Sequence, residues 1–236
     1  MGEIGLLPRV AAMATMASRM QSFQKMLPSI YPQVDHLFIY LDGYTTPPAF
    51  INGLDKVTVR HAEDTGDLHA SSRFLFLREL GRQVVAAIVD DDIIYPPDYM
   101  GRLVGLLEQT HGDALVGVHG RIFMPPHRSY VRDAVPFPFA AALDQPRHVH
   151  EVGIGTCAFV SDRLPIDPRV WDRTNMDDIV VAIEAQKRGL PRIIAARQWD
   201  WVRPFATNQA DSLWVKTMKD DSEHSKRMRI LLGLYA

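Results

Sequence analysis

The sequence predicts one α/β domain with a mainly parallel central sheet that is flanked by helices. Two observations support this prediction. Short apolar runs alternate along the chain with segments whose apolar residues recur at helical spacing, and strands buried in parallel sheets read as continuous apolar runs. The chain has 236 residues, of which 47% are hydrophobic, so it is long enough to bury one sizeable core.

The first elements are predicted from their apolar patterns. The run "RVAAMAT" (9–15) is typical of a buried strand. Residues 18–33 carry apolar side chains at helical spacing, and we expect Pro28 to kink or end that helix. The run "VDHLFIYLDGY" (34–44) indicates a second strand, and the alternating "KVTVRHA" (56–62) indicates a third.

The same alternation continues to about residue 123. The segment "SSRFLFLREL" (71–80) has helical spacing, and "VVAAIVDDD" (84–92) is an apolar run that ends in three acids. An amphipathic helix is expected over 99–112, closed by Gly112, and a further strand over 113–123.

The second half, about residues 124–236, is less regular. Loops rich in proline and aromatic residues are expected first, followed by strand character over 149–161 that Gly153 and Gly155 interrupt. A helix then runs from a cap at Asn175 to Gly189, and a strand follows it. We expect both halves to form a single domain over residues 1–236.

The amino-acid composition limits the binding partners and the cellular compartment that we expect for this chain. The net charge of -2 does not favour nucleic acid. A single cysteine, Cys157, excludes an internal disulfide and suits a reducing, cytoplasmic compartment. The sequence shows no basic secretory start and no apolar stretch of the ~20 residues needed to span a bilayer. The tail "SKRMRILLGLY" could rest weakly on an anionic membrane surface or form a solvated helix end. The oligomeric state is not indicated.

Polar residues follow several predicted strands at the same end. Thr15, Asp42, His61 and Asp90–Asp92 all fall where a strand stops. Sites in parallel sheets lie beyond the carboxyl ends of the strands, so these positions predict a shared pocket.

The three adjacent acids indicate a cation site. Strand alternation would place Asp90 and Asp92 on one side and Asp91 on the other. Paired carboxylates suit a hard divalent cation such as Mg²⁺ or Mn²⁺, which would also relieve their repulsion. The alternative is that the acids cap the "YPPDY" loop or lie in water.

These motifs resemble a known family. "VDDD", followed by "IIYPPDY" and a helix, is similar to the DxD region of nucleotide-sugar glycosyltransferases with the GT-A fold, whose central sheet is Rossmann-like. "ATMASR", "EDTGDLHASSRFLF", "GIGTCAFV" and "NMDDIVVAIEAQKRGLP" resemble further segments of these enzymes in the same order. The likeness covers nearly the whole chain and is greatest to short, family 2-like bacterial enzymes that build surface polysaccharides. The lysine usual after "GD" is absent, and Arg73 stands nearby.

The resemblance implies a donor site for a nucleotide-sugar, with UDP as the expected nucleotide, and a metal, Mn²⁺ or Mg²⁺. Asp92 would ligate the metal directly, and His224, the one histidine of the tail, would join it. Asp67 would approach the base unless it only shapes a turn, and Arg19 would pair with the diphosphate or cap its helix. The implied donor-binding residues are Thr15, Arg19, Asp42, Asp67, Arg73, Asp90, Asp91, Gly155 and Thr156.

On the acceptor side, the resemblance implies transfer to a glycan or lipid-linked acceptor with inversion, and Asp178 as general base. Asp177 is expected to matter less, because its neighbours one turn on lie on another helix face. Both acids could instead stabilise the helix dipole, and a retaining reaction would leave Asp178 an orienting role. The tail from Ser222 is expected to serve nucleotide binding and not the fold.

Other interpretations stay open. A sugar nucleotidyltransferase would usually carry a glycine-rich, basic loop after the first strand, and "ATMASR" has no glycine. A non-catalytic carbohydrate-binding protein that keeps the fold would not need Asp90, Asp92 and Asp178 together. Trp199 and Trp201 could stack on a sugar, although packing is the commoner role of tryptophan.

Overall fold

The structure, a computed structural model, describes residues 4–66, 68–205 and 213–234. The strands are β1 (Arg9–Met16), β2 (His36–Asp42), β3 (Val57–His61), β4 (Val85–Val89), β5 (Ile93–Ile94), β6 (Leu115–Gly117), β7 (Gly120–Phe123), β8 (Ala134–Phe137), β9 (Arg147–His148), β10 (Glu151–Val152), β11 (Thr156–Val160), β12 (Arg192–Ile194) and β13 (Arg203–Pro204). The α-helices are α1 (Met20–Ile30), α2 (Tyr99–Gln109), α3 (Asp177–Lys187), α4 (Leu213–Lys219) and α5 (Ser222–Leu231). A 3-10 helix spans His69–Arg78.

The main sheet has eight strands in the order β3-β2-β1-β4-β11-β6-β12-β9. Strands β3, β2, β1 and β4 run parallel, as do β6 and β12. Strand β11 is antiparallel to both β4 and β6, so its first residue, Thr156, pairs with Val89, the last residue of β4. The predicted α/β fold with a mostly parallel central sheet is confirmed, and the antiparallel insertion brings the start of β11 to the edge where the parallel strands end.

The sheet separates two hydrophobic clusters because successive strand residues point to opposite faces. In β1, Ala11 and Met13 join the cluster that α1 and α2 cover, whereas Val10 and Ala12 join the cluster on the other face. A third cluster joins α3 to α5, where Met228 and Leu231 are buried. The tail helix therefore belongs to the packed structure, contrary to the expectation that it does not serve the fold.

Three predicted elements differ in detail. The strand expected over 113–123 divides into β6 of the main sheet and β7 of a three-stranded sheet with β8 and β10; close backbone approaches at Gly117 and Gly120 leave no room for a side chain there. The helix expected over 71–80 is a 3-10 helix. Pro28 lies within α1, which continues for two more residues and ends at Ile30; the proline has no N–H to donate to the carbonyl of Gln24, one turn earlier.

Helix α3 begins without the predicted side-chain cap. Asn175 adopts a left-handed backbone conformation with φ of 61°, and Met176, the residue before the helix, makes no side-chain capping bond. Gly189 adopts φ of 69° just beyond the helix, as its predicted role as terminator requires. Within the described ranges, no helix has the length and apolar character needed to cross a membrane.

Candidate active site

A cavity of about 520 Å³ lies at the edge of the main sheet where the parallel strands end. Its size is that of a small-molecule site. Ends of β1, β2 and β4, the start of β11, the start of α3, and helices α4 and α5 all contribute to its walls. The sequence-predicted site residues that line it are Thr15, Arg19, Asp42, Arg73, Asp90, Asp91, Asp92, Gly155, Asp177, Asp178 and His224.

The three adjacent acids all line this cavity. Strand β4 ends at Val89 and the chain then turns, so strand alternation does not extend to the acids and the expectation that Asp91 points away is wrong. Asp91 accepts a hydrogen bond of 2.7 Å from Thr15 Oγ1 and lies 3.3 Å from Nη1 of Arg19. The same Arg19 nitrogen lies 3.5 Å from Asp92. Burial raises the pKa of Asp91 to about 6, although Thr15 and Arg19 oppose that shift.

Arg73 links the acids to helix α3. Its guanidinium donates to Asp90 through Nη1 and to Asp177 through Nε and Nη2, the latter at 2.9 Å. Ser71 Oγ donates to the other oxygen of Asp177 at 2.6 Å. Burial alone would lower the pKa of Arg73, but Asp90 and Asp177 outweigh it and raise the pKa above its ordinary value. Arg73 is therefore a permanent charge that holds two carboxylates in place.

Glycines allow the close approach of β11 and the acids. A Cβ atom on Gly155 would overlap the carboxylate of Asp90, and one on Gly153 would overlap the imidazole of His119. Thr156, a predicted donor contact, does not line the cavity: it is buried behind the wall, where its Oγ1 lies 2.8 Å from Nδ1 of His119. Its position supports His119, which does line the cavity.

The two acids that open α3 have different environments. Asp178 lines the cavity, and its Oδ1 accepts the backbone N–H of Ile154 at 2.9 Å. Asp177 is only 6% exposed, and burial raises its pKa even though Arg73 and Ser71 oppose the shift. The expectation that Asp177 lies on an unrelated face is wrong, because its side chain reaches the cavity wall and completes the ion network. Ile179, Ala182 and Ile183 are buried in the core, as predicted.

The tail contributes a wall of its own. His224 lies on α5, lines the cavity and packs against the ring of Tyr130 with 4.8 Å between ring centroids. Burial lowers the pKa of His224, which favours the neutral, ligand-competent imidazole. Trp214 and Lys216, from α4, also line the cavity; neither residue was predicted from the sequence.

The remaining predicted residues are placed as follows. Asp42 ends β2 and lies 3.4 Å from Nδ1 of His69, a lining residue that the sequence analysis missed. Asp67 lies outside the described residues. The expectation that His61 shares the pocket is wrong, because this residue ends β3, the edge strand of the sheet, and does not line the cavity. Trp199 and Trp201 do not line the cavity. Trp201 packs near Tyr99 and donates to Asp98 at 2.8 Å, a structural role.

The oxygen atoms that the cavity offers as metal ligands suit a hard divalent cation. Carboxylate oxygens from Asp90, Asp91 and Asp92 crowd one edge, and Arg19 and Arg73 neutralise them only in part. In the ranges that the structure describes, no three His, Cys, Asp or Glu side chains form a ready-made metal cluster. A cation would thus be held by one or two side chains, with ligand phosphates completing its sphere, which is how proteins commonly hold Mg²⁺.

Comparison with solved structures identifies the fold class. Glucosyl-3-phosphoglycerate synthase from Mycobacterium tuberculosis, in complex with Mn²⁺, UDP-glucose and phosphoglyceric acid, matches 95% of this chain and 80% of its own chain, with a TM-score of 0.56 and 15% sequence identity. The same enzyme with Mn²⁺, UDP and phosphoglyceric acid matches 95% and 79%, with a TM-score of 0.54 and 14% identity. No protein-family model and no curated protein sequence matches the chain. The chain therefore has the GT-A-type glycosyltransferase fold.

Proposed function

We propose that the chain is one catalytic domain, a metal-dependent glycosyltransferase that moves a sugar from a nucleotide-sugar, most simply a UDP-sugar, to a glycan or lipid-linked acceptor. One observation carries this proposal. The acid triplet (Asp90, Asp91 and Asp92) lines a single cavity together with Asp178 and His224, at the carboxyl ends of the parallel strands. The structural neighbour with the same fold holds Mn²⁺ and UDP-glucose, which supports this choice of ligands.

We assign binding of the nucleotide-sugar donor to the edge of the cavity that carries Asp90, Asp91 and Asp92. Asp92 and His224 would hold Mn²⁺ or Mg²⁺, with Asp90 at the ribose or at a metal-bound water. The bound cation would supply charge neutralisation at the departing diphosphate. Arg19 and Thr15 fix Asp91 within this edge, and Arg73 fixes Asp90, so the carboxylates need little reorganisation when the donor binds.

We assign Asp178 as the general base that acts on the acceptor. The Ile154 N–H engages one carboxylate oxygen at 2.9 Å and sets its orientation. The second oxygen accepts the proton of the acceptor hydroxyl as that hydroxyl attacks the anomeric carbon, with inversion at that carbon. A sugar nucleotidyltransferase is less well supported, because the fold neighbours are glycosyltransferases. A non-catalytic carbohydrate-binding protein would have no use for Asp178 beside the acid triplet.

The first test is metal-dependent donor binding. UDP at about 100 times its Kd should stabilise the chain by about 2.7 kcal/mol, or roughly 5–10 °C in melting temperature, when Mn²⁺ is present. With EDTA in place of Mn²⁺ the shift should be small, and Asp92→Asn should remove the difference between the two conditions. Equal UDP shifts with metal and with chelator would exclude the metal bridge.

His224 gives a second test, and a point variant is needed because α5 is part of the core. His224→Gln should weaken binding of UDP with Mn²⁺ while leaving the melting temperature without ligand nearly unchanged. His148→Gln, at the sheet edge and outside the cavity, is the matched control. If calorimetric titration gives the same UDP affinity for His224→Gln and wild type, α5 is not part of the donor site.

A further inference from the structure

One wall of the cavity is aromatic and is built around an arginine, Arg121, whose side chain is 16% exposed. The guanidinium of Arg121 lies 4.4 Å from the ring centroid of Tyr130 and 5.1 Å from that of Trp214. Tyr130 also packs against His224. We call Trp214, Tyr130 and His224 the aromatic wall; all three line the cavity.

Hydrogen bonds and an ion pair hold the Tyr130 part of the aromatic wall from behind. Glu151, only 1% exposed, lies 3.0 Å from Nε of Arg121 and accepts a hydrogen bond of 2.7 Å from the hydroxyl of Tyr130. The backbone N–H of Tyr130 donates to Ser225 on α5 at 2.9 Å. Because Tyr130 is fixed before any ligand arrives, a ligand that contacts its ring loses little affinity to side-chain ordering.

The wall and Asp178 line the same cavity. The backbone N–H of Ile154 holds the Asp178 carboxylate at 2.9 Å. A ligand on the wall therefore lies in the same cavity as the carboxylate to which we assign the acceptor hydroxyl.

The charges around the cavity disfavour an anionic acceptor. Six acidic residues line it, Asp42, Asp90, Asp91, Asp92, Asp177 and Asp178, against three basic ones, Arg19, Arg73 and Lys216. The arginines are ion-paired: Arg19 with Asp91 and Asp92, Arg73 with Asp90 and Asp177. Arg121, behind the wall, is paired with Glu151. Lys216 adds a positive charge that these pairs do not include, and among the described lining residues a phosphate or carboxylate acceptor would still meet twice as many carboxylates as cations.

Trp214 offers the contact surface. Its side chain is 47% exposed although it lines the cavity, and Arg121 covers one region of its ring. A sugar ring presents C–H groups on its faces, and these pack well against an aromatic face that carries partial negative charge. Such packing recognises shape without requiring any charge on the ligand.

On the basis of the proposed function, we propose that the acceptor is a neutral saccharide whose ring stacks on Trp214, with its reacting hydroxyl directed to Asp178. This acceptor class differs from the phosphoglyceric acid bound by the structural neighbour. Tyr130 and His224 form the adjoining part of the subsite.

The test is a glycan array probed with the full chain in the presence of UDP and Mg²⁺. Neutral glycans should be retained, and titration of the best one should show a loss of about tenfold in affinity for Trp214→Ala, the scale of one aromatic contact. Trp214→Phe should keep most of the affinity. Trp199→Ala, at a tryptophan that is 74% exposed and outside the cavity, should change nothing.

Several outcomes would overturn the inference: retention of acidic glycans alone, retention of none, tighter binding of 3-phosphoglycerate than of every neutral glycan, or undiminished affinity in Trp214→Ala. The UDP melting shift, measured on the same samples, separates the two proposals. A metal-dependent UDP shift with no neutral glycan bound would remove the saccharide acceptor and leave the glycosyltransferase proposal standing. Absence of a metal-dependent shift with UDP and with each of the other nucleoside diphosphates would remove the proposed function itself.

Discussion

Asp178→Asn is expected to slow sugar transfer by about 10²–10⁴-fold, the range that general-base catalysis contributes. Asparagine keeps the size of the side chain, and its carbonyl oxygen can still accept the N–H of Ile154, which Asp178 accepts at 2.9 Å. The orientation of the side chain should therefore survive while the ability to take a proton is lost. Affinity for UDP with Mn²⁺ should stay within a factor of about two, since Asp178 is assigned to the acceptor and not to the metal.

The measurements are the transfer rate under single-turnover conditions and the UDP affinity by calorimetry, with Asp113→Asn as the control. Asp113 is half exposed and pairs with Arg163 away from the cavity. Transfer by Asp178→Asn at a rate near that of wild type would show that another group is the base. The anomeric configuration of the product, read by NMR, is an independent check: retention would leave Asp178 only an orienting role.

The sequence predicted the position of those site residues whose place in the fold depends only on the apolar pattern and the direction of a strand. Thr15, Asp42 and Asp90 each follow an apolar run, and carboxyl ends of parallel strands share one edge, so the sequence predicts that these residues lie near one another. The prediction from side-chain alternation was wrong where a strand ends earlier than expected. Because β4 ends at Val89, the alternation that would turn Asp91 away no longer applies, and a turn brings all three acids to the cavity.

Contacts between distant segments could not be read from the pattern. Ser71 and Asp177 are 106 positions apart and Arg73 and Asp177 are 104 apart, yet these side chains form one buried network. Nothing local in "SSRFLFLREL" distinguishes a solvated arginine from one that links two acids. Trp214 was missed for a similar reason: its place in the cavity wall depends on Arg121, which reaches it from the distant strand β7.

The Asp90–Arg73–Asp177 network is expected to be the most sensitive point of the fold. Arg73→Met should reduce the free energy of unfolding by about 3–5 kcal/mol at neutral pH, because it leaves the buried carboxylate of Asp177 without a cation. Whole domains are stable by only about 5–15 kcal/mol, so urea unfolding would register this loss clearly. Arg78→Met, at an exposed arginine that pairs with Asp167, should cost no more than about 1 kcal/mol.

The pH dependence of the loss identifies its cause. Burial already raises the pKa of Asp177 above the ordinary aspartate value, and Arg73 opposes that shift, so removing Arg73 should raise the pKa further. A carboxyl group whose pKa is raised by folding destabilises the protein as pH rises from its unfolded pKa of about 4 through the folded value. The deficit of Arg73→Met should therefore be largest near pH 7.5 and shrink toward pH 4.5. The double variant Arg73→Met/Asp177→Asn, which has no charge left to bury at this position, should recover stability at pH 7.5 and lose the pH dependence. A deficit that is the same at both pH values, and that Asp177→Asn does not reduce, would assign the role of Arg73 to packing of its side chain and not to neutralisation of Asp177.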